Sequence, residues 1–358
     1  MGKLKLIVSD FHLGSGRTSG GGMPNPMEDF HHDHRFREFI EYYTQRPYDD
    51  AEIELIFNGD MLNLIQVDYH GHFPTVITEN VSMAKLRAVI AGHPGFFQTL
   101  RVFLGNPKHS LTYVIGNHDQ EMMWKLVRTG FEEAVGREVL WKNTHYLVDG
   151  VHIEHGHQYE AINRVDPARP FLTEGLPEPI LNLPWGTLFT VQYLIRVKMS
   201  RPYIDKVRPF RMVLFWALLH DTGAAIRHIF RLVGYFVSTR FSRSRYRHVN
   251  LSATLKMLRE ASVFPDLTDA ARRILQTPEI HSVVFGHTHV YKQVQLGAAK
   301  QYINTGTWTD IVSLDLESYG RRTKLTYVRV DYDEAGHSTA LLRHWIGKIP
   351  MEDEAFGI

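Results

Sequence analysis

Five times along this chain an apolar run ends abruptly in side chains that bind metals or move protons. "KLKLIV" (3–8) runs into Asp10 and His12, and "EIELIF" (52–57) into Asn58-Gly59-Asp60. "LTYVIG" (111–116) runs into Asn117-His118-Asp119, a hairpin centred on Asp149-Gly150 into His155, and "EIHSVVFG" (279–286) into His287-Thr288-His289. Short, β-branched apolar runs of this kind read as buried strands. In the first half of the chain they alternate with helical patterns. Residues 33–43 place Phe36, Phe39 and Ile40 at helical spacing, 82–104 is mostly helical with a break near 92–95, and a short helix is expected at 122–128. Alternating strands and helices predict an α/β fold, and such folds build their sites at the carboxyl ends of strands.

The residue types at those ends restrict the chemistry. The chain has 358 residues and no Cys, which excludes disulfides, thiolate metal sites and a Cys nucleophile. Its 21 His supply nitrogen donors instead. Asp10 and His12, two apart, face one side of an extended chain, and so do His287 and His289. Taken singly, each motif also has a plain structural reading: Asn58-Gly59-Asp60 is ordinary turn sequence, and His155 could be a satisfied buried histidine. Taken together, Asp10, His12, Asp60, Asn117, His155, His287 and His289 offer three or four oxygen and nitrogen donors to each of two metal ions. Such donors suit Mn, Fe, Zn, Ni or Co better than Ca. Asp60 is the natural bridge, since one carboxylate can hold two cations.

The ordered set D-x-H, G-D, G-N-H-D, H and G-H-x-H resembles the calcineurin-like metallophosphoesterase superfamily, over about residues 3–158 and 278–308. That resemblance implies a four-layer αββα sandwich with two mixed sheets. It implies one divalent ion held by Asp10, His12, Asp60 and His289, and another by Asp60, Asn117, His155 and His287, with manganese the leading candidate. Two cations roughly 3.5–4 Å apart would clamp phosphate oxygens for in-line attack by an activated water. The resemblance makes His118 the general acid or transition-state stabiliser beside the leaving group. Asp119 is expected to accept a hydrogen bond from its ring and fix the tautomer.

The resemblance divides the chain into a discontinuous core, 1–158 and 262–350, and a helical insertion, 159–261, rich in Arg and aromatic residues. Within it, residues 190–247 hold 12 Lys and Arg against 2 acidic residues, on a chain whose formal net charge is only +1. The large apolar residues among these arginines suit an anionic membrane surface better than nucleic acid; a packed cap with solvated arginines is the plainer reading. A basic, apolar, helical insertion, with "SDFHLG" and the "FREFI" helix after it, is similar to the UDP-2,3-diacylglucosamine hydrolases. A lipid-linked phosphate or pyrophosphate is therefore an expected substrate. A soluble phosphodiesterase or phosphatase acting on nucleotides or phosphoproteins is the alternative, and a non-catalytic scaffold the third reading. The opening residues carry an apolar run too short for an export signal, so a cytoplasmic location is expected, with peripheral attachment to the inner membrane. His31, His32 and His34 cluster in "DFHHDHR", where a solvated stretch is the default expectation.

Overall fold

The computed structural model describes residues 2–18, 22–201, 206–208, 222, 223, 226, 230, 231, 234, 237, 266–313, 320–322 and 324–347. Two sheets stack face to face. The first joins Lys3–Val8 (β1), Glu52–Asn58 (β2), His109–Val114 (β3) and Leu140–Lys142 (β4) to Leu325–Tyr332 (β15) and Ser338–Trp345 (β16), in the order β16-β15-β1-β2-β3-β4. Strands β1 to β4 are parallel, and β15 and β16 close the edge antiparallel. The second sheet joins His145–Val148 (β5), Val151–Glu154 (β6), Ser282–Phe285 (β10), Lys292–Gly297 (β11) and Lys300–Asn304 (β12), in the order β11-β12-β10-β6-β5. Its strands β6, β10 and β12 are parallel. Smaller pairings join Phe171–Leu172 (β7) to Ile180–Leu181 (β8), and Val207–Arg208 (β9) and Gly320–Arg322 (β14) to Ile311–Ser313 (β13).

Strand periodicity explains why four layers form. Along β1, Leu4, Leu6 and Val8 point to one side and Ile7 to the other; along β2, Ile53, Leu55 and Phe57 oppose Ile56. Apolar residues on both faces leave such strands no solvent side, so each sheet face needs a cover. Between the sheets, Ile7, Ile56, Val114 and Val328 meet Val151, Ile153, Val284 and Ile303. Outside the first sheet lie Asp33–Tyr43 (α1), Glu79–Gly92 (α2), Pro94–Leu104 (α3) and Lys125–Val135 (α4), burying Phe36, Phe39, Leu86, Phe96 and Phe131 in the main core. Outside the second, Thr268–Ile274 (α7) packs Ala270 and Ala271 with Val283, Phe285 and Tyr302. The expected αββα sandwich is the observed architecture.

Boundaries shift where local chemistry decides them. Thr78 caps α2, its side chain accepting from the Val81 amide, so that helix begins three residues before the periodicity suggests. Pro94 at the first helical position starts α3, which accounts for the break. The helix expected at 122–128 is a 3₁₀ turn at Gln120–Met123 followed by α4. Between the second sheet's two strands β6 and β10, Trp185–Phe189 (α5) and Ile195–Ser200 (α6) are joined through a wider helical turn at Thr190–Leu194. Most of 190–247, residues 251–259, which read as a helix in the sequence, and the last residues of the chain lie outside the described residues.

The Gly-rich loop after β1 is held by a buried carboxylate. Glu28 accepts from the amides of Gly14 (3.1 Å), Gly16 (2.7 Å) and Phe30 (2.9 Å). Its other neighbour is His93, whose Nε2 lies 3.1 Å from Glu28 Oε2 and whose Nδ1 lies 2.9 Å from Asp33 Oδ1. Burial opposes a charge on His93, but the two carboxylates outweigh it and raise its pKa to about 9. A histidine raised in this way contributes stability that is complete below its unfolded value of 6.5 and is lost as pH rises through about 9. The Tm should therefore fall by roughly 3–5 °C between about pH 7 and pH 9.5. In His93→Gln that limb should flatten, with a lower Tm at neutral pH; a variant that keeps the full alkaline limb would assign it to other groups.

Candidate metal centre

All seven candidate ligands follow the carboxyl ends of parallel strands: β1, β2 and β3 in one sheet, β6 and β10 in the other. The sheets are tied together at those ends. Asn58 Nδ2 donates to the Glu154 carbonyl at 3.0 Å, and the His287 amide lies 3.0 Å from Asp10 Oδ2. Thr307 Oγ1 and the Trp308 amide, beyond β12, both donate to the Asp10 carbonyl.

The backbone there is unusual. Asp10, His12, Asp60, His287 and His289 all have positive φ, between 53° and 69°. Asp and His tolerate this region better than most residues, yet each such residue costs on the order of 1 kcal/mol or more. The strain persists because it aims side chains from separate strands at one point. Two glycines make the approach feasible. A Cβ on Gly116 would lie 2.2 Å from Asp60 Oδ1, and one on Gly59, at φ +79°, would lie 2.5 Å from the His155 ring.

The side chains converge in three overlapping groups, Asp10–His12–His289, His12–Asp60–His118 and Asp60–His155–His287, each with ligand atoms within 4.8 Å of one another. His12 Nε2 and His289 Nε2 face each other at 3.1 Å, and His289 Nε2 lies 3.3 Å from Asp10 Oδ1. His155 Nε2 lies 3.1 Å from Asp60 Oδ2. Six of the seven expected ligands are thus brought together, with His118 at their edge; the seventh, Asn117, is buried next to His118 in sequence. His31, His32 and His34 form no comparable group among the described residues.

These residues fit divalent cations. Asp10 and Asp60 are 0 % and 1 % exposed, and two buried carboxylates need positive partners. Burial works against charge on both the acids and the histidines, but mutual attraction prevails. Asp10 and Asp60 are held below the usual carboxylate range, chiefly by His155, and His155 is raised to about 10, chiefly by Asp60. His155 Nδ1 meets the Asn58 carbonyl at 2.8 Å, so this nitrogen keeps a proton, and the one on Nε2, facing Asp60, is the proton a divalent cation would displace. Asn117 Oδ1 is buried with no hydrogen-bond partner among the described residues, and His155 Nε2, also buried, has only the Asp60 carboxylate beside it. An orphaned amide oxygen, and an imidazole nitrogen whose one neighbour is a buried carboxylate, match metal donors. His287 is oriented likewise, its Nε2 lying 2.9 Å from Glu160 Oε2. Carboxylate–histidine pairing is the usual outer support of a ligand.

His118 is placed differently from expectation. Its amide donates to Asp60 Oδ1 at 2.8 Å, and its ring stands edge-on to His12, with centroids 4.6 Å apart. The ring's Nδ1 meets Asn63 Oδ1 at 2.8 Å, not Asp119. The Asp119 carboxylate instead accepts from Tyr113 Oη (2.6 Å), the Gly116 amide (2.6 Å) and the Met61 amide (2.9 Å). Asp119 therefore shapes the turn that aims Asn117 and joins it to the Asp60 loop. Burial and the Asp60 charge push its carboxyl up to about 7. Burial, aided by His12, His289 and His287, pushes the His118 ring down to about 3 against Asp60, so the ring is neutral at pH 7.

The sequence reading missed Asn63 and Glu160. Asn63 lies three residues beyond Asp60 and Glu160 five beyond His155, so both are near motifs, but neither shows a periodicity or a pairing in one dimension.

No family model matches this chain, and no curated protein matches it. Among solved structures, it resembles a dimetal phosphatase from Danio rerio at 9 % identity and TM-score 0.35, over 96 % of this chain and 98 % of that one. The calcineurin-like phosphoesterase YfkN from Bacillus subtilis aligns at 11 % identity and TM-score 0.33, over 97 % and 92 %. A single mutant of Vps29 from Entamoeba histolytica aligns at 10 % identity and TM-score 0.29, over 95 % and 98 %.

Gly116→Ala tests whether close approach governs the cluster. The added methyl should displace Asp60, cut the metal retained by purified protein by more than half by mass spectrometry, and lower Tm. Gly95→Ala, where a Cβ meets nothing within 4 Å, is the matched control. Equal metal in both variants would show that the turn opens without harm.

Proposed function

We propose that this chain is a dinuclear metal-dependent phosphoesterase of the calcineurin-like kind. The observation that supports it most is the convergence of Asp10, His12, Asp60, His155, His287 and His289 at the joined carboxyl ends of two sheets, with the buried, orphaned amide oxygen of Asn117 at the end of β3. Asp10, His12, Asp60 and His289 would hold one divalent ion, and Asp60, Asn117, His155 and His287 the other. Manganese is the proposed occupant. When bound, the pair supplies positive charge for phosphate oxygens and lowers the pKa of water.

The chain's own groups do the rest. Asp60 is fixed by the His118 amide, Asn58 and Glu160 turn His155 and His287, and the positive-φ turns keep the donors in place before substrate arrives. His118 gives its Nδ1 proton to Asn63, so its Nε2 is the acceptor available to substrate. It therefore does not rest as an acid: it must first take a proton, from the attacking water or the phosphate, before returning one to the leaving oxygen. A scaffold role is the weaker reading, because a scaffold has no need of strained, desolvated donors.

Hydrolysis of bis-p-nitrophenyl phosphate with Mn²⁺ should be abolished in Asn117→Ala. In His118→Ala, turnover should fall roughly 10²–10⁴-fold while metal content stays near wild type. Loss of a metal in His118→Ala would make this residue a ligand, as the His12–Asp60–His118 group also permits.

For substrate, we favour a lipid-linked phosphate or pyrophosphate. Ile226, Phe230 and Val237 are helical in conformation, spaced by four and seven residues, and 44 %, 73 % and 51 % exposed. By sequence spacing the three fall on one side of a helical wheel, and Arg231, next to Phe230, is exposed within the basic stretch 190–247. An apolar face amid arginines suits an anionic bilayer. Among the described residues no helix is long and apolar enough to cross a membrane. The protein should float with phosphatidylglycerol vesicles but not with phosphatidylcholine ones, and Phe230→Glu should weaken flotation at least fivefold. Failure to float with either would leave soluble nucleotides or phosphoproteins as the substrates.

A further inference from the structure

The contact that turns His118 does not end at Asn63. Asn63 Nδ2 donates to Asp29 Oδ2 at 3.1 Å. Asp29 in turn receives Lys198 Nζ on both oxygens, at 2.8 and 2.9 Å, and Lys206 Nζ at 3.0 Å. Lys198 Nζ also donates to Gln66 Oε1 at 2.7 Å. Lys198 and Asn63 are 0 % exposed and Asp29 6 %. Lys198 comes from α6, in the stretch between the His155 and His287 motifs. Val191, Ile195 and Lys198, spaced by four and three, form one buried helical face, and the first two pack on Met27 and Ile65.

We propose that Lys198 is a positioning residue for His118: through Asp29 it fixes the amide of Asn63, and so the tautomer and direction of the His118 ring. The inference rests on the reading of His118 as the group that handles the leaving oxygen. Each link has a forced polarity. An ammonium only donates, and an ionised carboxylate only accepts. Asn63 must therefore turn its NH₂ to Asp29 and its oxygen to His118. That oxygen only accepts, so His118 carries its proton on Nδ1 and leaves Nε2 toward the site. Without the lysines, Asp29 loses the charge that keeps it ionised. Protonated, it can donate, and Asn63 is free to rotate and present its NH₂ to His118, reversing the tautomer.

Stability alone does not account for this pair. A buried ion pair is commonly no more stabilising than apolar residues of similar volume, and its neighbours Val191 and Ile195 already supply apolar contact. The ion pair does what an apolar contact would not: it imposes a direction on a chain of hydrogen bonds that ends at His118. The seating of the helix between the two motifs is thereby read by a residue at the reaction centre.

Lys198→Met keeps the volume and removes the charge, and Lys198→Met/Lys206→Met removes both charges facing Asp29. Asp29→Asn keeps the shape and serves if the lysine variants fold poorly. With Mn²⁺, Lys198→Met should lower kcat about 10–100-fold on an unsubstituted phenyl ester, which needs a proton on its leaving group. The loss should be much smaller on the p-nitrophenyl ester, with KM and metal content unchanged, and Lys198→Arg should restore most of it. In a His118→Ala background, Lys198→Met should cost less than twofold more, because both act through one group. Equal losses on both esters, or additive losses in the double variant, would overturn the proposal. A second readout needs no turnover. In ¹⁵N-histidine spectra of the Zn²⁺-loaded protein, the His118 ring, identified by its absence in His118→Ala, should show a protonated Nδ1. This signature should be lost or mixed in the double-lysine and Asp29→Asn variants. If the wild type hydrolyses no ester, the proposed function fails while this spectrum still decides the relay: an unchanged His118 ring in both variants would sink it.

Discussion

Two carboxylates taken almost wholly out of water, Asp10 and Asp60, are the constraint around which the rest is arranged. A buried carboxylate is tolerated only where donors and positive charge reach it. The His287 amide reaches Asp10 from the opposite sheet, and the His118 amide reaches Asp60 from the neighbouring strand end. The Ser9 hydroxyl donates to Asp10 as well, and imidazoles surround both carboxylates. To admit so many groups around two side chains, the backbone turns through left-handed conformations at five candidate ligands and uses glycine where even a methyl would collide. These turns are costly in isolation. They are sustained because two sheets, packed through Ile7, Ile56, Val151 and Val284, hold the strand ends in register.

Much of this was legible in one dimension. The strand positions of β1, β2, β6 and β10 follow from apolar runs, and α1 from the spacing of Phe36, Phe39 and Ile40. The donor types at the strand ends fix the kind of chemistry, because Asp, Asn and His two or three residues past a buried strand have few other reasons to gather. Less legible were β11, with alternating half-buried and exposed residues of mixed polarity, and β16, which carries Arg343 and His344 on an exposed edge. Neither has the continuous apolar run of a strand buried on both faces. The partner of the His118 ring was legible only by position. Asp119 is its sequence neighbour, yet three donors capture that carboxylate first, two of them backbone amides whose placement depends on the turn itself. Asn63 wins the contact because β2 and β3 are adjacent parallel strands, so the loops after them lie side by side.

The stretch between the His155 and His287 motifs touches the centre in two ways that composition does not disclose. Glu160, at its start, grips His287, and Lys198, much farther along, reaches Asp29 beside the loop after β1. A segment that only covered a cleft would have no need to send a buried ammonium into the core. Among its described residues the charge surplus, which at first suggests only a surface property, therefore divides into two parts: arginines such as Arg231 that stay exposed, and lysines that turn inward.

The same side chain serves different purposes here, and the second nitrogen decides which. His155 gives Nδ1 to the Asn58 carbonyl and turns Nε2 to the centre. His287 gives Nε2 to Glu160, which leaves Nδ1 as its other donor. His118 gives Nδ1 to an amide oxygen whose orientation is itself imposed by a carboxylate. A carbonyl and a carboxylate are fixed acceptors, so they keep a proton on His155 Nδ1 and His287 Nε2 and make the other nitrogen the one able to offer a lone pair. An amide is reversible, since it can accept or donate after a half-turn, and it needs Asp29 to choose. A metal ligand, as proposed for His155 and His287, should be locked permanently, whereas a ring proposed to gain and lose a proton can be held by a group that is itself set from elsewhere. On that physical ground Asn63, not Asp119, distinguishes His118 from the histidines around it.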